Sequence, residues 1–138
     1  MISLFYSTCL GSDIITGTWV IKKEVYSAGY ISRTPSRQEN NLIGKAIILG
    51  ENYINLKSIK YVNLVQKVNV LSDDEIFQGW RIRLTDVGVS ERSVKMINYE
   101  AKISNVNLPF SEFILTPKGD LIAISEIGLL KMVRSKQR

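Results

Sequence analysis

The chain has 138 residues, of which 45% are apolar and 22% are charged, and its formal net charge is +5. These values are typical of one globular domain, and roughly two-thirds of the surface of such a chain is buried on folding, so no disulfide or metal is needed. With no histidine and a single cysteine, the chain cannot provide Ser–His–Asp or Cys–His catalysis, a histidine-containing zinc site or an internal disulfide.

The N-terminal segment, residues 1–13, is interpreted separately from a barrel domain at 14–138. Its apolar run ends at the only cysteine, which makes Cys9 a candidate lipidation site and the periplasm or cell envelope the expected location. The run is short for a signal sequence and no Lys or Arg precedes it, so a cytoplasmic protein whose first segment packs on the domain is the alternative. No apolar run approaches the roughly 18 residues of a membrane-spanning helix.

Apolar and polar residues alternate along most of the chain, which predicts strands. The first predicted strand covers residues 15–25, with Trp19 and Ile21 on its buried face. The other predicted strands cover residues 46–49, 53–56, 60–71, 81–85, 97–103, 113–115, 121–124 and 129–134. Turn residues at 50–52 and 117–120 separate neighbouring strands.

Two short helices are predicted between the strands. Ser36 and Ser72 each begin an S-x-x-E sequence, the form of a capping box at a helix N-terminus. Gly44 and Gly79 follow these segments, and each is expected to end its helix in the left-handed conformation. Capping also explains the acidic run 73–75 better than a catalytic carboxylate pair does, because consecutive helical residues do not face one another.

About nine strands with short connections predict a mainly β fold, either a closed antiparallel barrel or a two-sheet sandwich. A closed barrel has no exposed sheet edges. This property favours the barrel in a chain that has only three prolines with which to protect an edge.

Gly17-Thr18-Trp19 near the start and Arg134 near the end resemble the calycin group, which includes lipocalins, fatty-acid-binding proteins and bacterial relatives. The resemblance implies a lipocalin-like barrel of about 8–9 strands, in which Trp19 closes one end and Arg134 lies across the indole as a cation–π pair. The chain is nearer in length to the fatty-acid-binding proteins than to lipocalins. Small uncharacterised bacterial envelope proteins with a GTW sequence, a short acidic helix and an Ile-Gly-Lys strand entry (here residues 43–45) are also similar.

Candidate partner-binding residues are Tyr26, Tyr30, Arg33 and Arg37, which fall in a short irregular stretch. Tyr and Arg are enriched in protein-binding hot spots. The alternative is a structural loop packed over one end of the barrel. Nucleic-acid binding is not expected, because basic and acidic residues are interleaved and Arg81 and Arg83 are predicted on the strand face opposite Trp80.

Two functions are compatible with these patterns. The first is a non-catalytic protein that binds and neutralises a protein partner, as an immunity protein or enzyme inhibitor does. The second is a carrier of a small hydrophobic ligand inside the barrel. Large residues at predicted inward positions favour the first, since side chains fill a small barrel readily. No cofactor, metal or enzymatic activity is expected.

Overall fold

The computed structural model describes residues 15–27, 29, 42–102, 108, 110–125 and 128–135. Within these residues, nine strands form one antiparallel sheet that curls into a nearly closed barrel. The strands are β1 Gly17–Val25, β2 Ala46–Leu49, β3 Ile54–Leu56, β4 Ile59–Tyr61, β5 Leu64–Ser72, β6 Ser93–Ala101, β7 Glu112–Leu115, β8 Leu121–Ser125 and β9 Gly128–Arg134. The expected mainly β barrel is therefore confirmed, and the sandwich is not what the chain forms.

Strand order around the sheet is β4-β3-β2-β1-β9-β8-β7-β6-β5. Each strand pairs with its neighbour in sequence, except that β1 pairs with β9 and that β4 and β5 are the two edges. The pairing of β1 with β9 brings the two ends of the described chain together, and Trp19 lies directly opposite Arg134.

The sheet separates two apolar clusters. The barrel-interior cluster contains the large side chains that face inward from the strands, among them Trp19, Tyr99 and Phe113. The outer cluster lies between the other face of β6–β9 and a layer made by helix α1 (Asp73–Trp80) and a 3-10 helix (Leu84–Val87). Strand β8 is buried on both faces, which explains its uninterrupted run of apolar residues from Leu121 to Ile124.

The strand predicted over residues 81–85 is wrong. Arg81 ends α1 in the left-handed conformation, with φ 62°. The backbone N–H groups of the next residues then bond to side chains instead of a neighbouring strand: Arg83 donates to Ser27 Oγ and Leu84 to Asp73 Oδ1. Ile82 and Leu84 are consequently buried in the outer cluster and not in the barrel.

The second predicted helix is present, with the full capping box. Ser72 Oγ accepts from Glu75 N at 3.1 Å, and Glu75 Oε1 accepts from Ser72 N at 2.8 Å. Gly79 lies inside the helix, so its expected role as the left-handed residue is wrong and Arg81 has that role. Gly44 has the expected positive φ of 88°, whereas the helix predicted from Ser36 lies outside the described residues.

Several strands differ in detail from the prediction, and β6, for example, begins at Ser93 and not at residue 97. Ile15 precedes β1 in helical conformation. A register shift against β9 between Ile21 and Lys23 turns Val25 away from the interior, and Val25 packs on the outer cluster. The single strand predicted over 60–71 is divided, because Asn63 adopts φ 61° between β4 and β5.

Candidate functional site

Trp19 and Arg134 form a cation–π contact where β1 begins and β9 ends. The indole is fully buried, and its Nε1 donates to Ile15 O at 2.8 Å. The Arg134 guanidinium carbon lies 4.5 Å from the ring centroid, and Nη1 donates to Thr16 O at 3.0 Å. The indole N–H and the Arg134 Nη1 group both bond to the residues just before β1, so the contact ties the end of β9 to the start of β1.

Gly17 makes room for that contact. Its φ of 140° is a conformation that side chains rarely adopt, and a Cβ at this position would lie 2.8 Å from Arg134 Nη1. The backbone conformation therefore favours glycine two residues before the tryptophan, and any side chain there would displace the Arg134 guanidinium from its contact. The spacing of Gly17 and Trp19 has a structural explanation that needs no ligand.

Tyr99 is the polar residue of the barrel interior. Its hydroxyl donates to Gly50 O at 2.8 Å and accepts from Gln66 Nε2 at 3.1 Å. Its ring packs edge-on against Phe113, with centroids 6.0 Å apart. Burial raises the pKa of Tyr99 to about 12, and the hydrogen bond from Gln66 opposes that rise. The hydroxyl is neutral and already bonded, so it has no remaining donor for a ligand.

Side chains fill the barrel interior along β1, β2, β3, β7, β8 and β9, whereas Val68 and Val70 on the inward face of β5 are exposed. Ten of the inward side chains have no surface that a water molecule can reach. A ligand-sized cavity would expose the side chains that line it, so none borders these residues. The ten are Trp19, Ile21, Ile47, Leu49, Ile54, Phe113, Leu121, Ala123, Leu130 and Met132.

Among the candidate partner-binding residues, Tyr26 is described, and it is 76% exposed just beyond the end of β1. The next residue is held firmly: Ser27 is buried, donates from Oγ to Asp86 Oδ2 at 3.1 Å and accepts from Arg83 N at 3.2 Å. Tyr26 therefore projects from an anchored backbone. The sequence gives no signal for this anchor, because Ser27 and Asp86 are 59 residues apart.

One exposed aliphatic residue lies on the side of β1 that leads to Tyr26. Exposed Ile43 is in the turn before β2, and the next residue, Gly44, donates from its backbone N–H to Ile21 O at 2.7 Å. Exposed Ile59 begins β4, but its register through Leu56 and Ile47 sets it level with Trp19 and not with Tyr26. We call Tyr26 and Ile43 the Tyr26 end. Tyr30, Arg33, Arg37 and Cys9 lie outside the described residues.

The acidic residues in the first turn of α1 have structural partners. Asp73 accepts from Leu84 N at 2.9 Å and from Arg83 Nη1 at 3.2 Å, while Glu75 completes the capping box. The Arg83 guanidinium lies 3.8 Å from the Phe77 ring centroid and also pairs with Asp74 at 3.6 Å. These contacts fasten α1 to the segment that follows it.

In the described ranges, no three acidic or thiol side chains are grouped so that they could hold a metal ion. In the same residues, no helix has the length and apolar character needed to cross a membrane. The fold and these contacts define a nearly closed antiparallel β-barrel with a packed interior and an exposed aromatic residue at one end. No protein-family model, curated protein or solved structure matches the chain.

Proposed function

We propose that this protein binds a protein partner through the Tyr26 end and acts without catalysis, as an immunity protein or enzyme inhibitor does. One observation carries the proposal: Tyr26 is 76% exposed on a backbone that Ser27 anchors. A large side chain with few rotatable bonds on a fixed backbone loses little conformational entropy when a partner covers it.

The composition of the Tyr26 end supports a particular partner chemistry. Ile43 is exposed beside Tyr26, which gives the mixture of aromatic and aliphatic surface that binding removes from water. The whole chain has a net charge of +5. A basic protein with an apolar contact surface is complementary to a partner surface that is apolar and acidic at its rim.

The packed interior favours this proposal over the carrier function. The ten fully buried side chains of the barrel interior border no ligand-sized cavity, and the Tyr99 hydroxyl is already bonded to Gly50 and Gln66. We also propose a relationship to the calycin barrels, supported by the contact of Gly17, Trp19 and Arg134 and by the closure of β1 on β9.

The experiment compares Tyr26→Ala with a matched surface variant. The tagged full chain captures its partner from native cell extract, and the affinity of the purified pair is then measured by calorimetry. We expect Tyr26→Ala to weaken binding by about 1–2 kcal/mol without lowering thermal stability. Ile48→Ala, an exposed residue on the wall of β2 nearer the Trp19 end, should bind as the unmodified chain does. Equal affinity of the two variants would reject the Tyr26 end as the contact surface.

A further inference from the structure

Strand β5 presents a free edge, because it pairs with β6 on one side and with no strand on the other within the described chain. Leu64 N donates to Asn52 O at 3.0 Å, and Ser72 N donates to Glu75 Oε1 at 2.8 Å. Both N–H groups therefore point away from β6. The backbone groups of every second residue in an antiparallel strand point to the same side of the strand. Those of Gln66, Val68 and Val70 therefore also point away from β6, toward the open edge.

This edge lacks the usual protection against pairing. The register of β5 with β6 runs without a bulge over all nine residues, and the strand contains no proline. Its one charged residue, Lys67, pairs with Glu100 at 3.0 Å. Val68 and Val70 are 37% and 65% exposed although they lie on the inward face of the sheet. An edge without a bulge or proline, whose one charge is already paired, is a template for another strand.

We infer that the edge of β5 pairs with β5 of a second copy of this chain, in antiparallel orientation about a two-fold axis through Val68. The outward groups at the two ends, Leu64 and Ser72, already have partners, so the open stretch is centred on Val68. Two-fold pairing sets Val68 opposite Val68 of the second copy, and Gln66 opposite Val70. Each outward pair exchanges two backbone hydrogen bonds, which gives about six in total.

The charges of the strand do not oppose pairing in this register. Lys67 faces the neutral Asn69 of the second copy, and Val65 faces Leu71, so no like charges stand directly opposite one another. The Lys67 charge is already balanced by Glu100 within its own chain. Hydrogen-bonding pattern, apolar surface and charge are thus all matched by a second copy without any change in the fold.

The pairing is independent of the proposed partner binding, because it uses β5, whereas Tyr26 follows β1, and at least three strands separate β1 from β5 in either direction around the barrel. The test is sedimentation of the full chain over a wide range of concentration. We expect a concentration-dependent dimer in the unmodified protein and a monomer in Val68→Lys, which sets two charges against each other at the axis. The control Ile48→Lys adds the same charge on β2, and it should still form the dimer.

A second variant tests the register even if Val68→Lys fails to fold. In a Cys9→Ser background, Val68→Cys should give a disulfide-linked dimer on mild oxidation, because opposed hydrogen-bonded residues have Cα atoms about 5.5 Å apart. Ile48→Cys in the same background should stay monomeric. A protein that is monomeric at every concentration, or a dimer that Val68→Lys leaves intact, overturns the inference. So does a monomer in which hydrogen exchange shows the amides of residues 66, 68 and 70 protected.

Discussion

Arg134 and Trp19 stand directly opposite one another on β9 and β1, with the guanidinium carbon 4.5 Å from the centre of the indole. The pair joins the first and last described strands, which is where an antiparallel meander must close if it is to become a barrel. The burial of Trp19 and the hydrogen bonds of the pair to Ile15 and Thr16 make it a structural clamp.

Trp19→Ala should lower the free energy of unfolding by about 3–5 kcal/mol, because it leaves a large cavity in the barrel interior. Arg134→Ala should cost less, about 1–2 kcal/mol, through loss of the cation–π contact and of packing by the aliphatic stem. Urea unfolding followed by circular dichroism measures both. A smaller loss for Trp19→Ala than for Arg134→Ala would contradict the clamp as described.

Gly17→Ala and Gly79→Ala should have opposite effects on stability. At Gly17 a methyl group meets Arg134 Nη1 and the backbone φ is 140°, so we expect destabilisation by about 1–3 kcal/mol. Gly79 lies within α1, and nothing stands within 4 Å of an added Cβ. Alanine there should stabilise the protein by about 0.5–1 kcal/mol. The thermal midpoints of the two variants should therefore fall on either side of the unmodified protein's.

Ser72→Ala should destabilise the protein by about 0.5–2 kcal/mol, because the N–H of Glu75 loses its acceptor. Ser93, opposite Ser72 on β6, is exposed and provides the matched control. The free energies of unfolding of Ser72→Ala and Ser93→Ala, measured by chemical denaturation, should differ by most of this amount. Indistinguishable midpoints would show that the capping box contributes little.

The stability should fall as the pH rises from 10 toward 12. The tyrosine pKa is 10.0 in the unfolded reference and about 12 for folded Tyr99. In this window the unfolded chain loses a proton that the folded chain keeps, which favours unfolding by up to about 2–3 kcal/mol at the upper end. Tyr99→Phe should remove that part of the slope, although it costs about 1–3 kcal/mol at neutral pH by leaving Gly50 O unpaired.

Much of the fold follows from alternation, turn residues and the capping box, since β2 begins and ends where the pattern predicts and α1 begins after Ser72. The segment after α1 was misassigned because Ile82 and Leu84 alternate with arginines as a strand would, while tertiary contacts from Ser27 and Asp73 decide its backbone. Long-range contacts of this kind have no local signal. For the same reason the sequence points to tyrosines and arginines near residue 26 but not to the anchor at Ser27.

The free edge of β5 was also hidden from the sequence. The pattern over residues 60–71 is that of one long strand, and nothing local indicates that Asn63 divides it or that the second part lacks a neighbour. Which strand of a barrel lies at an edge depends on how the ends of the sheet meet, and that is a property of the whole chain.

The most direct test of protein binding is native mass spectrometry of the full chain purified gently from its own cells. We predict a stoichiometric complex with one protein partner and no small apolar molecule inside the barrel. The double variant Tyr30→Ala/Arg33→Ala should weaken that complex by more than about 1 kcal/mol and leave the thermal midpoint nearly unchanged. A fatty acid or similar molecule retained by the chain, with no protein partner, would contradict the proposal and establish a carrier in its place.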